Sequence, residues 1–230
     1  MARVETLEGD GSFEAYMAEP EGEPRGAIVV IQEIFGVNEG IRRTCDRWAE
    51  KGYLALAPDL FWRLQRGVQL DPDVEPEFRQ ALELMNRFDQ DQGIADIEAT
   101  IRAARARLGE GGKVGCVGYC LGGRLAYMTA ARTDVDASVG YYAVGIDGLL
   151  HEKNAIARPL MLHIAGNDGF VGPEVQARMH EGLDDHPRVT LHDYPGEDHG
   201  FAAEMGRRRS EEAARLADQR TEAFFAEHIG

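Results

Sequence analysis

Lys113-Val114-Gly115-Cys116-Val117-Gly118-Tyr119-Cys120-Leu121-Gly122-Gly123-Arg124 joins two kinds of secondary structure with almost no chain between them. Residues 114–118 form a short apolar run of the length expected for a fully buried strand. Residues 122–131 continue as a helix. A strand that passes into a helix through Gly-x-Cys-x-Gly makes a sharp elbow. Its glycines have a steric task, because a Cβ two residues to either side of the cysteine would collide with the neighbouring strand or helix. The elbow lifts Cys120 to the carboxyl edge of the sheet, where ligands bind in such folds. It also sets the thiol at a helix N-terminus, whose partial positive charge favours an anion, and aims the amide of Leu121 at the place where an oxyanion would form. Taken alone, the pattern equally fits a tight turn around a small buried cysteine.

On either side of the elbow the chain alternates β-branched runs with amphipathic stretches, the signature of a mostly parallel, doubly wound sheet with helices on both faces. An N-terminal hairpin is expected over residues 3–18, around Gly9-Asp10-Gly11. Strands are expected at Ala27–Ile31, 54–57, 137–142, Leu160–Ala165 and Val189–Tyr194. Helices are expected at 38–51, stopped by Gly52, along the Ile94, Ile97, Ile101, Ala104, Leu108 face, and at 174–183 and 210–227. Residues 60–90 mix aromatics with charges and read as a helical excursion over the strand ends. A chain of 230 residues fits one domain, residues 1–230, since single α/β domains commonly reach ~250 residues.

Two later loops separate the readings of Cys120. The strand Leu160–Ala165 runs into Gly166-Asn167-Asp168, and Val189–Tyr194 runs into Pro195-Gly196-Glu197-Asp198-His199-Gly200-Phe201. Nucleophile, acid and histidine in that chain order, each after a strand, are the arrangement of an α/β-hydrolase. Here His199 would take the thiol proton and Asp168 would fix its tautomer. Asp198 competes for the role of acid. His163 lies within an apolar strand and reads as a hydrogen-bonded core histidine, whereas His151, His180, His186, His192 and His228 lack the loop context and read as surface residues.

Composition narrows the function classes. The net charge of −15 argues against a nucleic-acid partner, and 22 of the 25 basic residues are arginine. No segment approaches the ~20 apolar residues of a membrane-spanning helix, and Met1 to Gly11 does not read as a signal peptide. Three cysteines, Cys45, Cys116 and Cys120, suit a reducing compartment rather than a disulfide framework. No second Cys/His pair follows at zinc-ligand spacing. A cytoplasmic enzyme without metal or cofactor, acting on a small-molecule ester or lactone, is the expectation.

Four segments, Gln32-Glu33-Ile34-Phe35-Gly36, Ala57-Pro58-Asp59-Leu60-Phe61, the elbow itself and Tyr141-Tyr142-Ala143-Val144-Gly145, make the chain resemble the dienelactone hydrolase (carboxymethylenebutenolidase) family over nearly its whole length. The resemblance implies a triad of Cys120, Asp168 and His199. It implies that Glu33 hydrogen-bonds the resting thiol and helps deprotonate it, and that the amides of Ile34 and Leu121 form the oxyanion hole. The expected reaction is opening of a lactone or enol ester, dienelactone-like and yielding a maleylacetate-type acid, through a thioester on Cys120. A cysteine esterase for a less anionic substrate is the alternative. An amidotransferase or DJ-1-like enzyme fits less well, because no late His-x-Glu pair is present, and a non-catalytic binding member of the family is the remaining reading. Phe35, Arg79, Tyr142 and Phe201 are candidate substrate contacts. The family's two carboxylate-binding arginines are absent from their expected places: Ala203 stands four residues after His199, and Phe78 or Leu82 stands in the segment before the Ile94 helix. A bidentate arginine contact is worth ~1.5–3 kcal/mol.

Overall fold

The computed structural model describes residues 1–230. Eight strands form one sheet in the order β1-β2-β4-β3-β5-β6-β7-β8. They are β1 Ala2–Glu5, β2 Ser12–Ala18, β3 Ala27–Ile31, β4 Leu54–Pro58, β5 Val114–Tyr119, β6 Ala137–Tyr141, β7 Leu160–Ala165 and β8 Val189–Tyr194. The N-terminal hairpin packs antiparallel on β4, and β3 to β8 all run parallel. Strands β3 to β7 are buried along their whole length, as their unbroken apolar sequences require when helices cover both faces.

The helices are α1 Glu39–Glu50, α2 Glu75–Arg87, α3 Gln90–Leu108, α4 Leu121–Arg132, α5 Pro173–Leu183 and α6 Glu211–His228. Residues Ile41, Cys45 and Trp48 of α1 share one core with Ala214, Ala217 and Phe225 of α6. The opposite core gathers Ala81 and Leu84 of α2, Ile97 and Ile101 of α3, Leu125 and Met128 of α4, and Met179 and Leu183 of α5. These elements match the expected ones to within a residue or two at their ends. Asn38 caps α1 by accepting from the Ile41 amide at 3.2 Å, and Gly52 follows it at φ +87°. The 3₁₀ helix at Asp147–Ala155 was not anticipated. Its i→i+3 bonding gives no apolar period to read.

Residues 60–90 resolve into a turn-rich loop followed by α2, which leans over the carboxyl ends of β3 and β5. Phe78 of α2 sits on Phe35 in the loop after β3, with ring centroids 5.8 Å apart. Phe88, just after α2, packs edge-on against Phe61 at 5.4 Å. The Leu70 amide donates to the Phe35 carbonyl at 2.9 Å and ties the loop down. These contacts close one wall of the cavity described next.

Candidate active site

The elbow has the geometry its sequence demands. Cys120 lies at φ +56°, one of only two non-glycine residues with positive φ in the chain, and caps α4. A Cβ on Gly118 would stand 1.9 Å from the Gly122 carbonyl oxygen, and one on Gly122 would stand 2.4 Å from that of Ile31. Neither backbone has room to give, so both positions must be glycine. The Cys120 amide donates to the Tyr141 carbonyl at 3.0 Å, which locks the strained residue against β6.

His199, in the loop after β8, and Asp168, in the loop after β7, meet at this edge. His199 Nδ1 is 2.9 Å from Asp168 Oδ2, with the two side chains 8% and 1% exposed. The other Asp168 oxygen accepts the Phe170 amide at 2.8 Å, which fixes the carboxylate's rotation. Burial works to deprotonate the imidazole, but the hydrogen bond with Asp168 and the adjoining Asp168 and Cys120 groups push its pKa up to about 10. The thiol and the ring are thus close enough to interact. No well-formed hydrogen bond yet joins them, and such pairs are often loose before substrate arrives. Asp198 does not compete for the ring. It is exposed, and its carboxylate accepts the backbone amides of His199 at 2.7 Å and Gly169 at 3.3 Å, joining the two loops.

Glu33 stands at the end of β3 on the same edge. Burial raises its carboxyl pKa against the opposing pull of His199, Arg208 and Tyr142. The hydrogen bond from thiol to Glu33 that the resemblance implies is not formed here; Glu33 lines the same cavity as Cys120, His199 and Arg208, within reach of the charges of the last two. The Ile34 amide donates to no acceptor in the protein. The Leu121 amide, at the first position of α4, lies ahead of any intrahelical acceptor. Both N–H groups are therefore free, and Ile34 and Leu121 line the same cavity as Cys120.

Cys120, His199 and Glu33 open into a cavity of about 520 Å³, walled on the apolar side by Phe35, Phe78, Leu82 and Phe170. That volume suits a small organic molecule. Phe35 therefore stands where the sequence suggested, and the apolar side chains of Phe78, Leu82 and Ala203 do line the wall. Three of the suggested contacts need correction. Arg79 follows Phe78 by about 100° around α2, so it faces away and pairs with exposed Glu75 at 2.6 Å. Phe201 is fully buried against Tyr142 and Tyr194 and does not reach the cavity. Tyr142 also stays out of the cavity wall. It packs edge-on against the His199 ring at 5.0 Å, at φ +37°. Sequence reading missed Arg124 and Phe170, which line the cavity together with Arg207 and Arg208, two of the arginines at 207–209 that the sequence offered, with Arg79, as substitutes for the absent pair. Arg208 lies 5.9 Å above the Phe170 ring, which itself packs edge-on against His199 at 4.8 Å.

A mostly parallel sheet in this strand order, with an elbow after its central strand β5 and an acid and a histidine on later loops, defines an α/β-hydrolase. The chain belongs to the dienelactone hydrolase family, whose model matches residues 13–229. It is 47% identical over 223 residues to an Azospirillum brasilense protein assigned as a carboxymethylenebutenolidase, covering 96% of both chains. It is 40% identical to the carboxymethylenebutenolidase of Pseudomonas putida over 94% of this chain and 91% of that one. A crystal structure from Klebsiella pneumoniae assigned as a dienelactone hydrolase superposes with a TM-score of 0.83 at 28% identity, covering 99% and 98% of the two chains. No helix is long and apolar enough to cross a membrane.

Proposed function

We propose that the protein is a cysteine hydrolase that opens a lactone or enol ester of the dienelactone type, with Cys120 as nucleophile, His199 as acid and base, Asp168 as the group orienting the histidine, and Glu33 as an auxiliary proton acceptor. The observation that carries this reading is the Cys120 elbow facing a His199 imidazole backed by buried Asp168 at 2.9 Å. The relatives' shared activity at 40–47% identity gives it its substrate class.

In this mechanism the thiol proton rests on His199, whose Asp168 partner favours the imidazolium, the thiolate adds to the carbonyl carbon, and the amides of Ile34 and Leu121 stabilise the oxyanion. The ring C–O bond breaks, and the enolate, still part of the acyl chain, takes the proton from His199 and leaves the imidazole neutral. Water then gives a proton to the imidazole, adds to the thioester and releases the carboxylic acid, returning the thiol. An enolate is a stable leaving group, so esters of this kind need little acid assistance and amides should be poor substrates. The free Ile34 amide and the apolar wall support a planar, conjugated acyl group. Residues 1–230, built on one sheet, act as one catalytic unit in this reading.

Ultraviolet-monitored loss of dienelactone by wild type beside Cys120→Ala tests the proposal. Wild-type turnover with a loss of at least about 10³-fold in the variant is expected. Equal rates in the two proteins would sink the nucleophile assignment. Inactivity on dienelactone with Cys120-dependent cleavage of neutral aryl esters would keep the hydrolase and discard the substrate.

A further inference from the structure

Arg124 is the fifth residue of the elbow counted from Cys120, one helical turn along α4 and roughly 6 Å further along its axis. Its half-buried side chain lines the same cavity as the thiol. Three of its bonds are made to neutral groups: Nε donates to Gln90 Oε1 at 2.7 Å, and an Nη donates to the carbonyls of Gly145 at 2.9 Å and Val144 at 3.5 Å. These hold the guanidinium in place without balancing its charge. The two acids whose fields reach it are committed elsewhere. Asp147 pairs with Arg178 at 2.8 Å and Glu152 with Arg132 at 2.7 Å. Burial, together with the nearby Arg132, pushes its pKa below the ordinary arginine value, as expected of a cation lacking its counter-ion.

Arg208, the other unpaired arginine of the cavity, differs. Its charge acts on Glu33 and Asp198, and it packs over Phe170 and Gly200 beside the histidine. The field of Arg208 thus falls on carboxylates of the site itself, whereas Arg124 makes no ion pair and the two acids whose fields reach it are each paired with another arginine. A preorganised arginine with free N–H groups is the side chain best suited to a planar carboxylate.

We propose that Arg124, steadied by Gln90 and the Val144 and Gly145 carbonyls, binds a carboxylate carried by the substrate, and so supplies the anion recognition for which Phe78, Leu82 and Ala203 offer no charge. This rests on the hydrolase reading above. A substrate acyl group therefore lies along α4 from Cys120 toward Gln90, with its charged end about one helical turn from the reacting carbonyl.

The test is the ratio of kcat/KM for mono-4-nitrophenyl glutarate to that for the neutral, similarly sized 4-nitrophenyl pentanoate. Wild type should prefer the anionic ester, and Arg124→Met should lower the ratio about 10- to 100-fold, mainly through KM, as loss of a charge-assisted contact implies. Arg124→Lys, which keeps the charge but not the fork, should recover part of it. Both preferences should weaken as salt is raised. A ratio unmoved in both variants, whether or not the two rates fall together, would overturn the proposal, as would loss of discrimination in Arg208→Met alone. Failure of wild type to cleave either ester would instead overturn the hydrolase reading.

Discussion

Two buried histidines, thirty-six positions apart in the chain and joined to neighbouring strands, have opposite proton affinities. His163, within β7, is 1% exposed and His199, in the loop after β8, is 6% exposed. Burial alone penalises the imidazolium at both. At His163 that penalty is unopposed, because its partners are hydroxyls: Tyr194 Oη at 2.8 Å on Nδ1 and Thr221 Oγ1 at 2.9 Å on Nε2. Its pKa falls well below the ordinary value, with His192 and Arg220 adding to the effect. At His199 a carboxylate and a thiol outweigh burial and drive the pKa up to about 10. Depth does not set a histidine's charge; the chemistry of its partners does.

Exchanging the partner at the active histidine should give the largest effect. Asp168→Asn keeps the shape but offers an amide to Nδ1, so the ring loses both its counter-charge and its fixed tautomer. A kcat loss on the order of 10³–10⁴-fold is expected from steady-state kinetics. The stability effect has a definite sign. A raised folded-state pKa means that the native protein holds the proton more tightly than the unfolded chain. The pair's contribution is therefore complete below about 6.5, the unfolded value, and is lost as pH rises through about 10. The Tm gap between wild type and Asp168→Asn should accordingly be widest near pH 6 and narrow toward pH 10.5. A gap that widens with pH would show that the imidazolium–carboxylate pair is not what Asp168 stabilises.

His163→Leu probes the other side of the comparison. It removes a neutral group of similar volume and leaves the Tyr194 and Thr221 hydroxyls each one hydrogen bond short in a buried setting, for about 1–3 kcal/mol of lost stability. Catalysis should change less than tenfold, because His163 touches the site only through its carbonyl, which accepts the Tyr142 amide at 2.8 Å. Chemical denaturation and steady-state kinetics on one preparation check both halves. A kcat loss comparable to that of Asp168→Asn would make the two histidines functionally alike and erase the contrast.

The contrast between these histidines could be read from sequence, because each sits in a diagnostic local pattern. An imidazole amid Leu160-Met161-Leu162 and Ile164-Ala165 has to be a core residue, and one between Asp198 and Gly200 after a strand has to be on a loop. Cys120 and Asp168 were legible for the same reason: backbone geometry at a strand end is encoded within a few residues. The cavity wall was not. Which face of α2 turns inward is settled by Phe35 and Phe61, far away in the chain, so Arg79 looked as eligible as Phe78. Arg124 reads as an ordinary helix-surface cation until the loop after β6 is folded back to present its Val144 and Gly145 carbonyls. Glu33 is intermediate. Its place after β3 could be inferred, but its sharing one cavity with His199 and Arg208 depends on the packed structure.

The smallest expected effect concerns how His163 is kept neutral. Arg220 donates to Tyr194 Oη at 3.1 Å, so that hydroxyl's own proton is free to go to His163 Nδ1. Nδ1 must then be the acceptor, and Nε2–H donates to Thr221 Oγ1. Thr221 passes its proton to Tyr141 Oη at 2.6 Å, and Tyr141 donates to Asp218 at 3.1 Å. Every group in this chain, from the Arg220 cation to the Asp218 anion, donates once in the same direction. A proton added to Nδ1 would have to reverse Tyr194 and strand its hydroxyl hydrogen beside Arg220, a further cost of protonation beyond burial. Thr221→Val interrupts the relay at its middle and leaves Nε2–H without an acceptor. About 1–2 kcal/mol of stability should be lost, which for a chain of this length lowers Tm by roughly 2–8 °C, with kcat/KM essentially unchanged. A Tm unaltered by the substitution would mean that the order of donors does not matter, and that burial alone keeps His163 neutral.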